Sequence, residues 1–319
     1  MADRSINWDN VNTIVHDYIA PHVQDAIFTS QVTYMTLEAN NRVILRGGDS
    51  ISWPVAMAKL KSGSYRGASQ FPSQEVQTKR RAVLEWKQLF VDIVVSNYDA
   101  KRAQGPLATL DLVDELRQEA TLAAVDTAGT QIYGDGSGNG SLDLDGARNG
   151  FDDGTLYATY AGLSRAGNTW WQGNVNSTGG NLTLSAMNSS YSSATVGNAH
   201  PNLITTTQTL WNRMWDRVQP QQRYEAGDER NRLARVGFDS IRFNGADVAH
   251  EDDGGVLPSG NIFYWNTDYI ELRVEPNTMW SWTGWKVPYQ ADAQQGQILF
   301  MGNMLTLQPR LVARDTGVT

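Results

Sequence analysis

The sequence predicts an α+β fold dominated by one long basic β-hairpin, and three observations predict it. Residues 42–102 contain two strand-like arms, 50–55 and 82–95, around a tip at 59–72 that holds Gly63, Gly67 and Pro72 for turning. One long helical pattern follows, with Leu110, Val113, Leu116, Ala120, Ala124 and Ala128 recurring at helical spacing. The second half alternates short strand-like runs with turn signals such as Asn244-Gly245 and Asp253-Gly254-Gly255.

Composition narrows the function classes. A chain of 319 residues, 40% hydrophobic and 19% charged, can bury a sizeable core. It has no Cys, which removes disulfides, thiolate zinc sites and thiol nucleophiles together. No apolar run is long enough to span a bilayer, so no membrane role is expected. The first residues lack the apolar core of a secretion signal, so the expectation is synthesis and assembly in a cytoplasm. The net charge of −8 argues against tight wrapping of nucleic acid, which needs clustered cations. Its distribution is uneven. Between residues 56 and 81, Lys59, Lys61, Arg66, Lys79, Arg80 and Arg81 face only Glu75, a local +5 that leaves −13 on the rest. A basic hairpin on an acidic body is complementary to further copies of itself; the same charges also solvate a strand edge against aggregation.

The N-terminal region, 5–41, has thin helical spacing. Val11, Ile14, Val15, Tyr18 and Ile19 share one face; Pro21 interrupts, and Val23, Ile27, Gln31 and Tyr34 resume it. Its two His residues, His16 and His22, have no companions at metal-ligand spacing. In the hairpin, Tyr65 and Phe71 offer contact surface at a polar tip, and its unpaired edges call for cover by another subunit. The long helix should run over 110–133, capped by Thr109 or Asp111, with Asp111, Asp114 and Glu115 in its favourable first turn. Its Ala residues suggest close packing. At 134–146, Asp135, Ser137, Asn139 and Gly140 begin like a calcium loop. The twelfth position is Gly146 instead of a bidentate Glu, so a flexible Gly-rich connection is the better reading.

Residues 151–200 are rich in Gly, Ser, Asn and Thr, and three Asn-x-Ser/Thr triplets there read as polar loop. Thr205–Thr207 are placed to cap a helix that buries Leu210, Trp211, Met214, Trp215 and Val218. A charged helix at 228–236 and strands at 238–243, 261–265 and 270–274 complete a mixed domain. Trp280, Trp282 and Trp285 alternate as one face of a sheet. An aromatic row can bind sugars or bases, but core burial is favoured because no polar partner set stands nearby. The run 297–308 reads as a hairpin turning at Gly302-Asn303.

No catalytic constellation is visible. The chain lacks a nucleophile elbow, a phosphate loop, a His-Glu-x-x-His set and a dinucleotide fingerprint. His250-Glu251-Asp252-Asp253 reads as a solvated acidic loop. No catalytic, cofactor or metal residues are therefore assigned, and the chain is expected not to be an enzyme. A carbohydrate-binding module or glycosidase remains a distant alternative, since paired carboxylates are a spatial feature.

The order of parts resembles the HK97-fold major capsid proteins of tailed double-stranded DNA bacteriophages. Local wording is similar too: Glu85-Trp86-Lys87-Gln88, Ile132-Tyr133-Gly134-Asp135-Gly136, Gly162-Leu163-Ser164-Arg165 before Trp170-Trp171, and Ile298-Leu299-Phe300-Met301-Gly302-Asn303. The resemblance implies an N-terminal arm at 1–41 and a hairpin E-loop at 42–102 lying over the adjacent subunit. It implies a P-domain from 103–150 and 278–319 and an A-domain at 151–277. It further implies hexamers and pentamers in an icosahedral virion shell around double-stranded DNA held without sequence-specific contact, and a portal. A scaffolding protein would be separate or its segment removed, and a decoration protein is an open possibility of the family. By resemblance, Lys59, Lys61, Tyr65, Arg66, Phe71, Arg80 and Arg81 would make inter-subunit contacts, with Lys59 and Lys61 better suited to salt bridges than to covalent cross-links. An encapsulin-like compartment shell is the alternative within the same fold.

Overall fold

The computed structural model describes residues 22–27, 30–68, 75–98, 106–177, 179–218, 241–251 and 256–319, and for 106–114 the backbone alone. The first half holds helix α1 (Val32–Ala39), strands β1 (Val43–Leu45), β2 (Ile51–Ala56), β3 (Lys79–Leu84) and β4 (Lys87–Ser96), and helix α2 (Pro106–Ile132). Then come β5 (Thr159–Tyr160), β6 (Leu163–Ser164), β7 (Asn174–Asn176), helix α3 (Leu184–Ser193), β8 (Leu203–Thr207) and helix α4 (Gln208–Val218). The last part holds β9 (Ile241–Phe243), β10 (Ala246–Glu251), β11 (Ile262–Trp265), β12 (Ile270–Val274), β13 (Ser281–Trp282), β14 (Ala293–Thr306) and β15 (Ala313–Asp315). The α+β expectation holds.

The first sheet is built on β14. One edge of this strand pairs antiparallel with β4 from Ala293↔Ser96 to Gly302↔Lys87; β13 and β12 pair with it at Ile298–Leu299 and at 302–306. β1 extends the sheet beyond β12. Helix α2 covers one face. Its Ala120, Ala124, Ala128 and Ile132 are buried at four-residue spacing, in one core with Leu89, Ile93, Val95, Ile298 and Phe300. Small side chains on one stripe let helix and sheet approach closely. Trp280, Trp282 and Trp285 are buried in the same core, so the Trp row is structural. Trp282 also explains Gly296: a Cβ there would lie 2.0 Å from the indole.

Two expectations about strands are corrected here. Gly302-Asn303 is no turn, because both residues lie inside the fourteen-residue β14. At Gly302 a Cβ would come within 2.7 Å of Arg273 O and the Phe300 ring, so glycine is needed there for close approach. The return arm of the hairpin is two strands. β3 pairs with β2, whereas β4, beyond a break at Glu85-Trp86, leaves the hairpin for β14.

The second sheet has the order β7-β15-β11-β8-β10-β9. Thr205–Thr207 belong to β8, whose five residues are all buried between β10 and β11, and Thr207 directly precedes the next helix. Helix α4 begins directly after them, burying Leu210 and Met214, while Trp211 and Trp215 stack at 5.5 Å. The Asn244-Gly245 turn is as expected: both residues have positive φ, 50° and 88°, between β9 and β10. The charged run 228–236 and the turn at 253–255 lie outside the described residues. β12 belongs to the first sheet and β15 to the second.

The N-terminal region joins the two. Val23, Ile27, Gln31 and Tyr34 are buried as their spacing predicts, whereas the earlier set from Val11 to Ile19, with His16, lies outside the described residues. The Gln31 side chain does not cap α1. Glu251, at the end of β10, does so across the fold. Its Oε1 accepts from Thr33 N–H at 2.9 Å, Thr33 Oγ1 at 2.8 Å and Tyr133 Oη at 3.2 Å. The expected acidic loop is therefore strand through His250 and Glu251, and Glu251 is buried. Burial pushes its carboxyl up, with the Thr33 and Tyr133 hydrogen bonds opposing.

A raised folded value means that Glu251 contributes stability fully present below its unfolded value of 4.5, and lost as pH rises through the folded value. Glu251→Gln keeps an acceptor at Oε1 and does not titrate. The melting temperature of the variant relative to the native chain is expected to rise between about pH 4 and about pH 7. A difference that stays flat across this range contradicts the assignment.

Candidate assembly interface at the basic hairpin

The hairpin has a clamped base and an extended tip. At the base, β2 and β3 run antiparallel with Trp53 opposite Ala82 and Ile51 opposite Leu84. Alternation puts Ile51, Trp53, Val55, Ala82 and Leu84 on one face, all buried, against Tyr160, Ala161, Trp171 and Leu305. Trp171 is the centre of this platform. Its ring lies 6.4 Å from Trp53, 5.7 Å from Tyr160 and 5.8 Å from Trp170, and its indole N–H donates to Tyr160 O at 3.0 Å. The Tyr160 hydroxyl accepts from Thr306 N–H at 2.9 Å, and burial pushes its pKa up to about 12.

The β5–β6 turn ties the platform to the hairpin. Ala161 and Gly162 both have positive φ, 50° and 73°, closing a two-residue turn. Val83 N–H donates to Ala161 O at 2.9 Å. An alanine held in the left-handed region costs energy that the surrounding packing must offset.

A buried charge cluster fixes the platform from beneath. Arg165 lies 5.2 Å over the Tyr160 ring and donates to Tyr157 O and Asn149 O at 3.0 and 2.6 Å. Asp152 Oδ2 accepts the N–H groups of Gly154, Leu156 and Tyr157, with Arg165 at 4.0 Å and Arg314 at 3.6 Å from its two oxygens. Burial pushes both guanidinium groups down, and Asp152 opposes it. Asp152 and Arg314 carried no signal in the sequence. Arg165, Trp170 and Trp171 stood out only through the family resemblance.

The tip is different in kind. Residues 57–66 have no regular structure and those at 58–68 are exposed, Leu60 at 74% and Tyr65 at 67%. Lys59, Lys61 and Arg66 lie on this exposed stretch, and Arg80 and Arg81 are exposed on β3, where Arg81 Nη2 donates to Ser52 Oγ at 2.7 Å. Phe71 lies outside the described residues. The structure thus places the predicted cations along one projecting element rather than gathering them into a pocket.

Nothing among the described residues groups three or more metal-ligating side chains. In the calcium-like stretch, partial burial pushes Asp135 up, but hydrogen bonds from Ser137 and Tyr157 and the charge of Arg148 outweigh it and hold its pKa at about 2. Its two oxygens already accept from Ser137 and Tyr157. This connection is held by specific bonds, not a flexible spacer as the sequence suggests. No helix among the described residues is long and apolar enough to cross a membrane.

No protein-family model matches the sequence, and no curated protein does. Solved structures do. A chain of the cyanophage A-1(L) capsid asymmetric unit aligns over 88% of this chain and 91% of its own, with 14% identity and a TM-score of 0.64. The chain has the HK97-like capsid fold. Mycobacterium phage Adephagia aligns over 89% of this chain and 90% of its own, at 14% identity and a TM-score of 0.56. A virus-like particle from Pyrococcus furiosus shares the fold over 94% and 98%, at 8% identity and 0.52.

Removing the centre of the platform should free the hairpin. Trp171→Ala is expected to cost about 3–5 kcal/mol in thermal or denaturant unfolding. It should also accelerate tryptic cleavage at Lys79, Arg80 and Arg81 in the hairpin base. Unchanged stability and protection there would contradict the clamp.

Proposed function

We propose that this protein is the major capsid subunit of a tailed-phage shell, assembling through its basic hairpin into hexamers and pentamers around double-stranded DNA. The observation that carries this reading is the hairpin itself: a clamped base and an exposed cationic tip on an acidic body, within a chain that matches phage capsid structures along most of its length. The local +5 of residues 56–81 stands against −13 on the rest of the chain, which offers any neighbour's hairpin a complementary surface. An acidic body also limits adhesion to packaged DNA. The role is structural. The Trp row that might have bound sugar is consumed in the core, which removes the sequence basis for the carbohydrate-binding alternative.

In this reading residues 1–41 are the arm, 42–102 the E-loop, 103–150 and 278–319 the P-domain, and 151–277 the A-domain around capsomer axes. Lys59, Lys61, Tyr65, Arg66, Phe71, Arg80 and Arg81 belong to the clasp. Assembly takes place in the host cytoplasm, with a scaffolding protein and a portal as the partners the family leads one to expect. A second and weaker reading is a compartment shell of the same fold enclosing protein cargo.

Deleting residues 59–71 is expected to leave a folded, soluble subunit that forms no shells by sedimentation and electron microscopy. Normal particles from this variant would sink the clasp. Native particles should protect DNA from nuclease; protein cargo without DNA would decide for the compartment.

A further inference from the structure

The chain holds three Asn-Gly pairs, at 139–140, 149–150 and 244–245. In such a pair the glycine backbone nitrogen meets little hindrance on its way to the side-chain amide carbon of the preceding Asn, since glycine has no Cβ. To bring these atoms together, the Asn must turn about its Cα–C bond. That turn swings its own carbonyl and the glycine N–H out of place. Whatever holds those groups therefore holds back the reaction.

The pairs differ in this respect. The Asn149 carbonyl accepts from Arg165 Nη2 at 2.6 Å, and Gly150 N–H donates to Gly146 O at 3.0 Å. The Asn244 carbonyl accepts from Tyr191 Oη at 2.9 Å, inside the turn that joins β9 to β10. Asn139 and Gly140 are exposed, and among the described residues no hydrogen bond holds the Asn139 carbonyl or the Gly140 N–H. The space around Gly140 is open. The side-chain amides do not separate the sites. Each Nδ2 donates to one acceptor: Asp143 Oδ1 at 2.8 Å from Asn139, Asp145 Oδ1 at 3.3 Å from Asn149 and Asn188 Oδ1 at 2.6 Å from Asn244.

We propose that Asn139 is a self-modification site, the place where deamidation of the folded chain begins. Gly140 N loses its proton and attacks Asn139 Cγ; the Cγ–Nδ2 bond breaks and ammonia departs, leaving a cyclic imide. Water then opens the ring to an aspartyl or isoaspartyl residue. The net change is one water taken up and one ammonia released, so no oxidant or reductant is required. The product loses the Nδ2–H donor and sets a carboxylate against Asp143, which loosens the turn at 138–143. Ser141 O of that turn accepts from Lys87 Nζ at the start of β4, so the loosening reaches the strand beside the hairpin base. The chemistry needs only this chain and water and does not rest on the shell reading.

The native chain, incubated folded in mildly alkaline buffer that favours the deprotonated amide, can be digested and its peptides quantified by mass spectrometry. Conversion at Asn139 is expected to run several-fold ahead of Asn244, with Asn149 unchanged; in urea the three rates should converge. Conversion at Asn244 or Asn149 as fast as at Asn139 in the folded chain, or none at Asn139, overturns the assignment. Asn139→Asp, which fixes the product, should speed hydrogen exchange across 138–143 relative to Asn139→Gln, which keeps an amide donor. Equal exchange in the two variants overturns the loosening.

Discussion

A two-stranded ribbon is at best marginal in water, and this one persists because Trp53 is pressed onto Trp171. The contact is buried from both sides. Tyr160, Ala161 and Leu305 complete its walls, and the Asp152–Arg165–Arg314 cluster braces the stretch that leads to Tyr160 and Ala161. Removing one partner from such a buried charge set typically costs about 3–5 kcal/mol, since the remaining charge is left uncompensated. The platform is thus a buried mount for an exposed tip.

The mount is tied to the rest of the fold through β14. Its C-terminal end supplies Leu305 to the platform and Thr306 N–H to Tyr160, while its N-terminal two-thirds pairs with β4. Between these halves Asn303 donates to Glu85 O, at the break where β3 passes into β4, and to Asp145 Oδ2; its Oδ1 accepts from Asp145 N–H. One buried amide therefore stitches the hairpin, the long strand and the connection after α2. A load applied at the tip has a hydrogen-bonded route into the sheet, as the proposed clasp requires.

What was legible in the sequence is what period and turn chemistry encode. The Ala stripe of α2, the buried set from Val23 to Tyr34 and the Asn244-Gly245 turn follow directly from local rules. The errors have a common cause: tertiary contacts overrode local signals. Gly302-Asn303 looks like a turn, but Gly302 is there for close approach to Arg273 and Asn303 is there for its amide. Thr205 and Thr206 look like helix-start residues, yet both faces of β8 are covered, and Thr205 Oγ1 accepts from Trp265 Nε1. Glu251 looks like a loop acid but caps a helix 218 residues away. At the candidate site the cations were legible as a local charge excess. The platform was not, because Asp152, Arg165 and Arg314 meet only in space.

The central proposal is a clamped hairpin that reaches from its own subunit onto another. Electron cryomicroscopy of assembled particles tests it most directly. Density for the tip should cross the subunit boundary and lie on an adjacent copy, while the base stays on the Trp171 platform. A tip folded back onto its own chain, with subunits joined elsewhere, would contradict it.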